Sequence, residues 1–545
     1  MVLPFFAVGI AAIGVVVGVQ AAPFFEEGTR YARGGGLQIP ILTRRDDVDP
    51  STLYPAHNFS VPIDHWHNDT LYEPHSNGTF PLRYWYDATY YKPGGPVIAL
   101  MSGETSGKYR LPFMQKGILA QLAQATGGLS VILEHRYYGT SFPVPDLSIE
   151  NLRFLTTDQS LADTAYFAKN IVFEGLDVKH GLTSHDTPWI VYGGSYAGAY
   201  VAFLRKLYPD VFFGAISSSG VPEAIIDYWQ YWLGPLNYGP PDCMNTTQNF
   251  AEVIDGILIG KNDTKLASRL KTAFLLPNVT YDDDFANVLS DLGIGQWQSR
   301  NWDPAVGDPS FDNYCGNITN NTVLYPKLET SRQELLNLTE ISGYEDVDDS
   351  FITRMINFIG YLDALTGCSR NPDPCFYNTH NTTYYQQDSI STTQDWRSWG
   401  YQYCTQWGYY QTGSGFPENI RPPVSRLIDV EYSSIVCRDA FNITGPPDIN
   451  AINKYGGFDI AYDRLAFVDG AADPWKYAGP HAPAARNRTS TTNMPFIEIE
   501  GAVHHWDENG LFANETVKNL PPAPVAAAQA AEASFVKAWL LEYKR

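Results

Sequence analysis

Basic residues are scarce in this chain. Against 59 Asp and Glu stand 37 Lys and Arg, a formal net charge of −22 over 545 residues. A surface of that sign repels phosphate backbones and anionic lipid, which argues against nucleic acid or a membrane surface as a partner. Cysteine is also scarce: Cys243, Cys315, Cys368, Cys375, Cys404 and Cys437 are the full set. None stands in a CxxC pair, which argues against zinc-ribbon and thioredoxin chemistry. An even number favours disulfides in an oxidising compartment, and local pairing predicts Cys243–Cys315, Cys368–Cys375 and Cys404–Cys437. Internal repeats and long low-complexity linkers are missing. After the first twenty residues no apolar run is long enough to span a bilayer.

What is present begins with that early run. Val2–Val19 is almost wholly apolar, and Val19-Gln20-Ala21 offers a small-residue cleavage site. Residues 1–22 therefore read as a secretory signal peptide, with an uncleaved anchor as the alternative. Residues 23–50 read as an N-terminal extension, with Arg44-Arg45 as a dibasic processing candidate. N-x-S/T sequons stand at Asn58, Asn68, Asn77, Asn245, Asn262, Asn278, Asn317, Asn320, Asn337, Asn381, Asn442, Asn487 and Asn514. That density predicts a glycosylated, exported chain, extracellular or vacuolar/lysosomal.

Short apolar runs at 96–101, 131–134, 189–192 and 215–218 alternate with helical patterns at 113–125, 158–170 and 196–207. Alternation of this kind predicts a parallel sheet with helices on both faces. Beyond Pro222 the chain turns rich in Trp, Tyr and Asn, with helical patches at 250–259 and 351–365. Strand signals return at 464–468 and 496–500, and 525–543 reads as a closing amphipathic helix. The expected organisation is a first α/β segment over 51–224, an inserted, mostly helical, disulfide-containing domain over 225–430, and a second α/β segment over 431–545.

The segment Trp189-Ile190-Val191-Tyr192-Gly193-Gly194-Ser195-Tyr196-Ala197-Gly198 carries the chemistry. A strand, a glycine-flanked serine and an immediate helix form a nucleophile elbow, with Ala197 where the pattern G-x-S-x-G has its last glycine. In that layout the order along the chain is serine, acid, histidine. Asp473, in Asp469-Gly470-Ala471-Ala472-Asp473-Pro474-Trp475, is the acid candidate, and Asp469 more plausibly closes the strand. His504 and His505 follow the last strand, and either could be the base. One oxyanion donor is the backbone N–H of Tyr196. The other comes from the loop Met101–Gly107, with Gly103 as candidate and Glu104 beside it as a candidate substrate contact.

Taken together in order, these segments resemble the S28 family of serine peptidases. The group contains Pro-Xaa carboxypeptidases, dipeptidyl peptidase II and fungal acid prolyl endopeptidases. The resemblance runs from about residue 59 to the end. It rests on Ile63-Asp64-His65-Trp66, Asn77-Gly78-Thr79-Phe80, Arg83-Tyr84-Trp85, Glu134-His135-Arg136-Tyr137-Tyr138-Gly139, Leu155-Thr156-Thr157-Asp158-Gln159 and the elbow. Downstream it continues through Asp227–Trp232, Trp399 with Gln402, Cys404 and Thr405, Asp473-Pro474-Trp475 and His504-His505. The resemblance implies an α/β-hydrolase fold, a triad of Ser195, Asp473 and His504, and cleavage after proline by carboxypeptidase, dipeptidyl-peptidase or endopeptidase action. It makes Trp475 either a wall of a proline-shaped pocket or a core residue. It implies no metal or organic cofactor, and proline-containing peptides as partners; monomer and homodimer both stay open. Two positions depart from the family. Gln406 stands where glutamate is common, and Asn509 where the mammalian carboxypeptidase has arginine. An esterase or lipase on the same triad, and an inactive binding glycoprotein, are the other readings of these residues.

Overall fold

The computed structural model describes residues 49–176, 181–371, 377–390 and 395–543. The signal-peptide segment, Arg44-Arg45 and Cys375 lie outside the described residues.

Eight strands form one sheet in the order β1-β2-β4-β3-β5-β6-β9-β10. They are β1 (His57–Pro62), β2 (Thr79–Asp87), β3 (Val97–Met101), β4 (Leu129–Leu133), β5 (Trp189–Gly194) and β6 (Gly214–Ser218), then β9 (Leu465–Gly470) and β10 (Phe496–Ile499). A separate parallel pair, β7 (Ile225–Asp227) and β8 (Gly408–Tyr410), joins the start of the insert to its later part. Strands β4, β3, β5, β6, β9 and β10 pair parallel with one another, whereas β2 is antiparallel to both β4 and β1. The expectation of a parallel sheet therefore holds for the centre and needs correction at one edge. Residues 57–62 and 79–87 alternate polar with apolar side chains, as an edge hairpin covered on one face does. The central strands are buried on both faces and read as continuous apolar runs.

Period-two alternation splits those strands between two cores. Val97, Ala99, Val131, Trp189 and Val191 face one side, which continues into the insert. Ile98, Leu100, Ile132, Ile190, Tyr192 and Ile216 face the other, closed by the helices Ile118–Thr126 and Ala523–Leu541. The last helix buries Val525, Ala528, Gln529, Glu532, Phe535, Val536 and Trp539. That is one helical stripe with two polar residues inside it. The expected helix over 113–125 is instead two, Leu111–Gln115 and Ile118–Thr126. The break falls at Gly117, where a Cβ would come within 2.4 Å of the Glu508 carbonyl oxygen.

Between β6 and β9 lies the helical insert. Its longest helices are Pro241–Asp255 and Asp349–Thr366. The second is bounded by local chemistry: Asp348 accepts from the Phe351 N–H at 2.7 Å, and Gly367 ends it at φ +68°. Phe250, Phe274, Phe285, Tyr314, Phe351 and Phe358 fill its core through mutual ring contacts. Disulfides join Cys243 to Cys315 and Cys404 to Cys437, as the spacing predicts. The partner expected for Cys368 lies outside the described residues. None of the sequon asparagines is buried.

Candidate active site

Parallel strands end on one edge of the sheet, and the residues just past those ends converge there. Gly103 follows β3, Ser195 follows β5, Ser219 follows β6, Asp473 follows β9 and His504 follows β10. Sequence reasoning named four of these five.

Ser195 sits between β5 and the helix Tyr196–Leu207 with φ +59° and ψ −125°. A side-chain-bearing residue in that conformation is strained, and the neighbouring chain holds it there. Its N–H donates to the Ser218 carbonyl at 2.9 Å. Two glycines are required by close approach. A Cβ on Gly193 would lie 2.2 Å from the Ala197 carbonyl oxygen, and one on Gly198 would lie 2.8 Å from the Gly220 Cα. At position 194 a Cβ would strike the Glu508 carboxylate at 2.3 Å. Tyr196 opens the helix, so its N–H has no partner within the helix and points toward the serine edge. The Tyr196 hydroxyl is fixed from two sides. Gln402 Nε2 donates to it at 2.9 Å, and His135 Nε2 lies 3.0 Å away. Burial pushes the His135 imidazole down to about 4, so this contact involves a neutral ring above that pH. Trp399 and Trp407 of the insert pack edge-on against the Tyr196 ring. The insert therefore covers the elbow, and Ser195 is only 4% exposed.

Asp473 and His504 meet in the interior. His504 Nδ1 lies 2.9 Å from Asp473 Oδ2 and 3.1 Å from Oδ1, with both side chains fully buried. Burial pushes the Asp473 carboxyl up. The adjacent His504, Ser219 and the Trp475 N–H more than offset that and hold it below the usual range. Burial lowers the His504 imidazole, against the opposing pull of Asp473. The result is an ionised acid orienting a neutral base. His504 Nε2 is buried and makes no hydrogen bond, so it is free to take a proton. No hydrogen bond joins His504 Nε2 to Ser195, and contacts of this kind often tighten only around a substrate.

On the residues alone the choice of His504 over His505 is a close one, and in the structure the two rings have different surroundings. His505 adopts φ +36°, donates its N–H to Ser219 Oγ at 2.8 Å, and turns its ring to Glu508. Nδ1 and the Glu508 carboxylate are 3.1 Å apart. Burial lowers the His505 imidazole, but Glu508 outweighs it and raises it above its ordinary value. Asp469 is likewise set apart: its carboxylate pairs with His481 Nδ1 at 2.6 Å. Ser219 and Glu508 are the residues that sequence reasoning missed. Ser219, at φ +47°, stands just past β6 and ends the run Ser217-Ser218-Ser219, and that run was the available signal.

Gly103, at φ +72°, lies against the start of the elbow helix, where its Cβ would come within 3.4 Å of the Ala197 Cβ. Glu104 next to it is buried, and neither carboxylate oxygen has a hydrogen-bond partner. Burial pushes this carboxyl up to about 7, partly opposed by Arg110 and His505. Trp475 is buried, with its Nε1–H on Gln298 Oε1 at 2.7 Å. It stacks on Tyr228, meets Tyr231 and Tyr409 edge-on, and lies 6.3 Å from the His504 ring. Gln406, the departure from the family, accepts from the N–H and hydroxyl of Thr157.

The family model described as serine carboxypeptidase S28 matches residues 67–519. A probable extracellular serine carboxypeptidase of Arthroderma benhamiae is 52% identical over 505 residues, covering 92% of this chain and 69% of that protein. Serine protease vicPa of Bipolaris victoriae is 29% identical over 435 residues, 76% of this chain and 78% of its own. The human thymus-specific serine protease is 27% identical over 403 residues, 70% of each. Among solved structures, a serine hydrolase from Cycloclasticus zankles covers 90% of this chain and all of its own length, at 9% identity and a TM-score of 0.32.

Proposed function

The chain belongs to the serine carboxypeptidase S28 family, and on that footing we propose that it is an extracellular peptidase cleaving on the C-terminal side of proline through Ser195, Asp473 and His504. Ser195 Oγ attacks the prolyl carbonyl carbon as His504 Nε2 takes its proton. Asp473 keeps the other ring proton on Nδ1 and stabilises the imidazolium. The negative oxygen rests on the backbone N–H groups of Tyr196 and Gly103. Collapse breaks the C–N bond, and His504 gives its proton to the leaving nitrogen. Water then attacks the acyl-enzyme, loses a proton to His504, and restores the Ser195 hydroxyl.

The observation that carries this reading is the buried Asp473–His504 pair, with contacts of 2.9 and 3.1 Å, on the same sheet edge as the strained serine. Selection for proline has its own support. Trp475, Tyr228, Tyr231 and Tyr409 form a packed aromatic cluster beside His504, an apolar surface against which a rigid proline ring could pack. The name of the Arthroderma relative supports release of a C-terminal residue and an extracellular setting.

The test uses peptides with proline internal, second from the amino end and second from the carboxyl end, incubated at pH 4 to 5 and read by mass spectrometry beside Ser195→Ala. Cleavage after proline by the wild type alone is the expected result, and the fragment masses assign the mode. Hydrolysis of p-nitrophenyl esters with no peptide cleavage would point to the esterase reading instead.

A further inference from the structure

Away from the sheet edge just described, the connection from β1 to β2 gathers three metal-type donors. Asp64, His67 and His75 each offer one ligand atom, and these atoms lie within 4.8 Å of one another. Asp64 follows β1 and is buried. Its Oδ1 accepts from the Trp66 N–H at 2.8 Å and from Gln159 Nε2 at 2.8 Å. Gln159 is itself fixed, because its Oε1 accepts from the His65 N–H at 2.9 Å. The carboxylate is thus clamped from outside the group, with Oδ2 left facing His75 Nδ1 at 2.8 Å. The His67 and His75 rings are 5.4 Å apart between centroids and tilted by 30°. His67 is exposed and His75 partly so, which leaves a solvent side to the group.

An ordinary His–Asp pair would need only His75 and Asp64. The convergence of a second imidazole on the same carboxylate goes beyond that need. Two imidazole nitrogens and one carboxylate oxygen form the donor set of zinc and its neighbours among divalent transition metals. Calcium and magnesium ask for more oxygen ligands than this group holds. A ligating carboxylate held in place by partners of its own, here Gln159 and the Trp66 N–H, is the support such sites use.

We propose that Asp64, His67 and His75 form a binding site for a zinc-class divalent ion that ties the two ends of the β1–β2 connection together. Water completes the coordination on the open side. The site is separate from the peptidase chemistry and does not depend on it.

The test takes the full-length protein, stripped with a chelator and dialysed, and titrates it with zinc chloride at pH 7 by calorimetry. Wild type is compared with His67→Ala and with His380→Ala, the latter altering a different carboxylate–histidine group (Asp283, Asp284, His380). His67 is exposed, so its removal leaves the fold intact, which the metal-free melting temperature checks. Zinc bound by the wild type, at least tenfold weaker binding in His67→Ala and an unchanged Kd in His380→Ala is the expected result. Zinc should also raise the melting temperature of the wild type and not that of His67→Ala. No zinc uptake by the stripped wild type, or the same affinity in His67→Ala, would overturn the proposal.

Discussion

Replacing Asp473 by asparagine isolates the orienting role of the acid without changing its shape. In the native arrangement Oδ1 accepts from the Trp475 N–H at 2.8 Å, while Oδ2 faces His504 Nδ1 at 2.9 Å. Asparagine keeps an oxygen for Trp475, so its NH2 group must occupy the second position. Nδ1 then has to accept, and the ring proton moves to Nε2. An imidazole protonated there cannot take the proton of Ser195. Loss of the correct tautomer in this way costs about 10⁴-fold in kcat, roughly 5.5 kcal/mol of transition-state stabilisation. The assay is kcat/KM on a prolyl peptide together with the rate of fluorophosphonate labelling of Ser195. Asp469→Asn is the matched control. Asp469 lies four residues away and pairs with His481, so its loss should leave kcat/KM within about tenfold and appear in stability instead. Retention of more than a tenth of wild-type activity by Asp473→Asn, or a larger loss in Asp469→Asn, would refute the assignment.

Further expectations concern pH and the surrounding shell. Because burial holds His504 below its ordinary value of 6.5, the acidic limb of the kcat/KM profile should fall below pH 6.5; a limb above 7 would count against His504 as the base. Glu104 and Asp507 are pushed up to about 7 and about 6. A carboxyl raised on folding adds stability that is complete below its unfolded value and lost as pH rises through its folded value. The melting temperature should therefore decline between pH 5 and 8, and Glu104→Gln should flatten that decline. Removing Glu508 leaves His505 buried beside Arg110 without its counter-ion. Glu508→Gln should cost about 3–5 kcal/mol in denaturant unfolding. Trp475→Ala should lower kcat/KM for prolyl peptides by about 10- to 200-fold relative to a small ester, and an equal loss on both would assign Trp475 to packing alone.

Strand, elbow and helix over 189–207 were legible because a local pattern dictates them: apolar run, small residues, then a helix with no proline. Asp473 was legible for a similar reason, since it stands on a turn just past a strand. Asp469 was distinguishable only by its place within the strand, and its partner His481 could not be read from the chain. The antiparallel β1–β2 edge was missed because Pro62 and Pro81 interrupt an otherwise alternating pattern. The broken helix at Gly117 was missed because the contact that requires a glycine there, the Glu508 carbonyl, is almost four hundred residues away. Ser219 and Glu508 were hidden for the same reason. Their roles exist only once β6 and β10 flank β9 in the sheet.

The strand order also fixes a timetable for the nascent chain. Strand β6 finds its second neighbour in β9, which leaves the ribosome only after the whole insert has been made. Until then the Gly214–Ser218 edge is open and ready to pair with another chain. Ser195 likewise emerges long before Asp473 and His504. A translation product halted inside the insert would carry the elbow without Asp473 and His504, and the sheet without β9 and β10. On the proposed triad, hydrolytic competence arrives near the end of synthesis, and a truncated copy is an aggregation hazard rather than a stray peptidase.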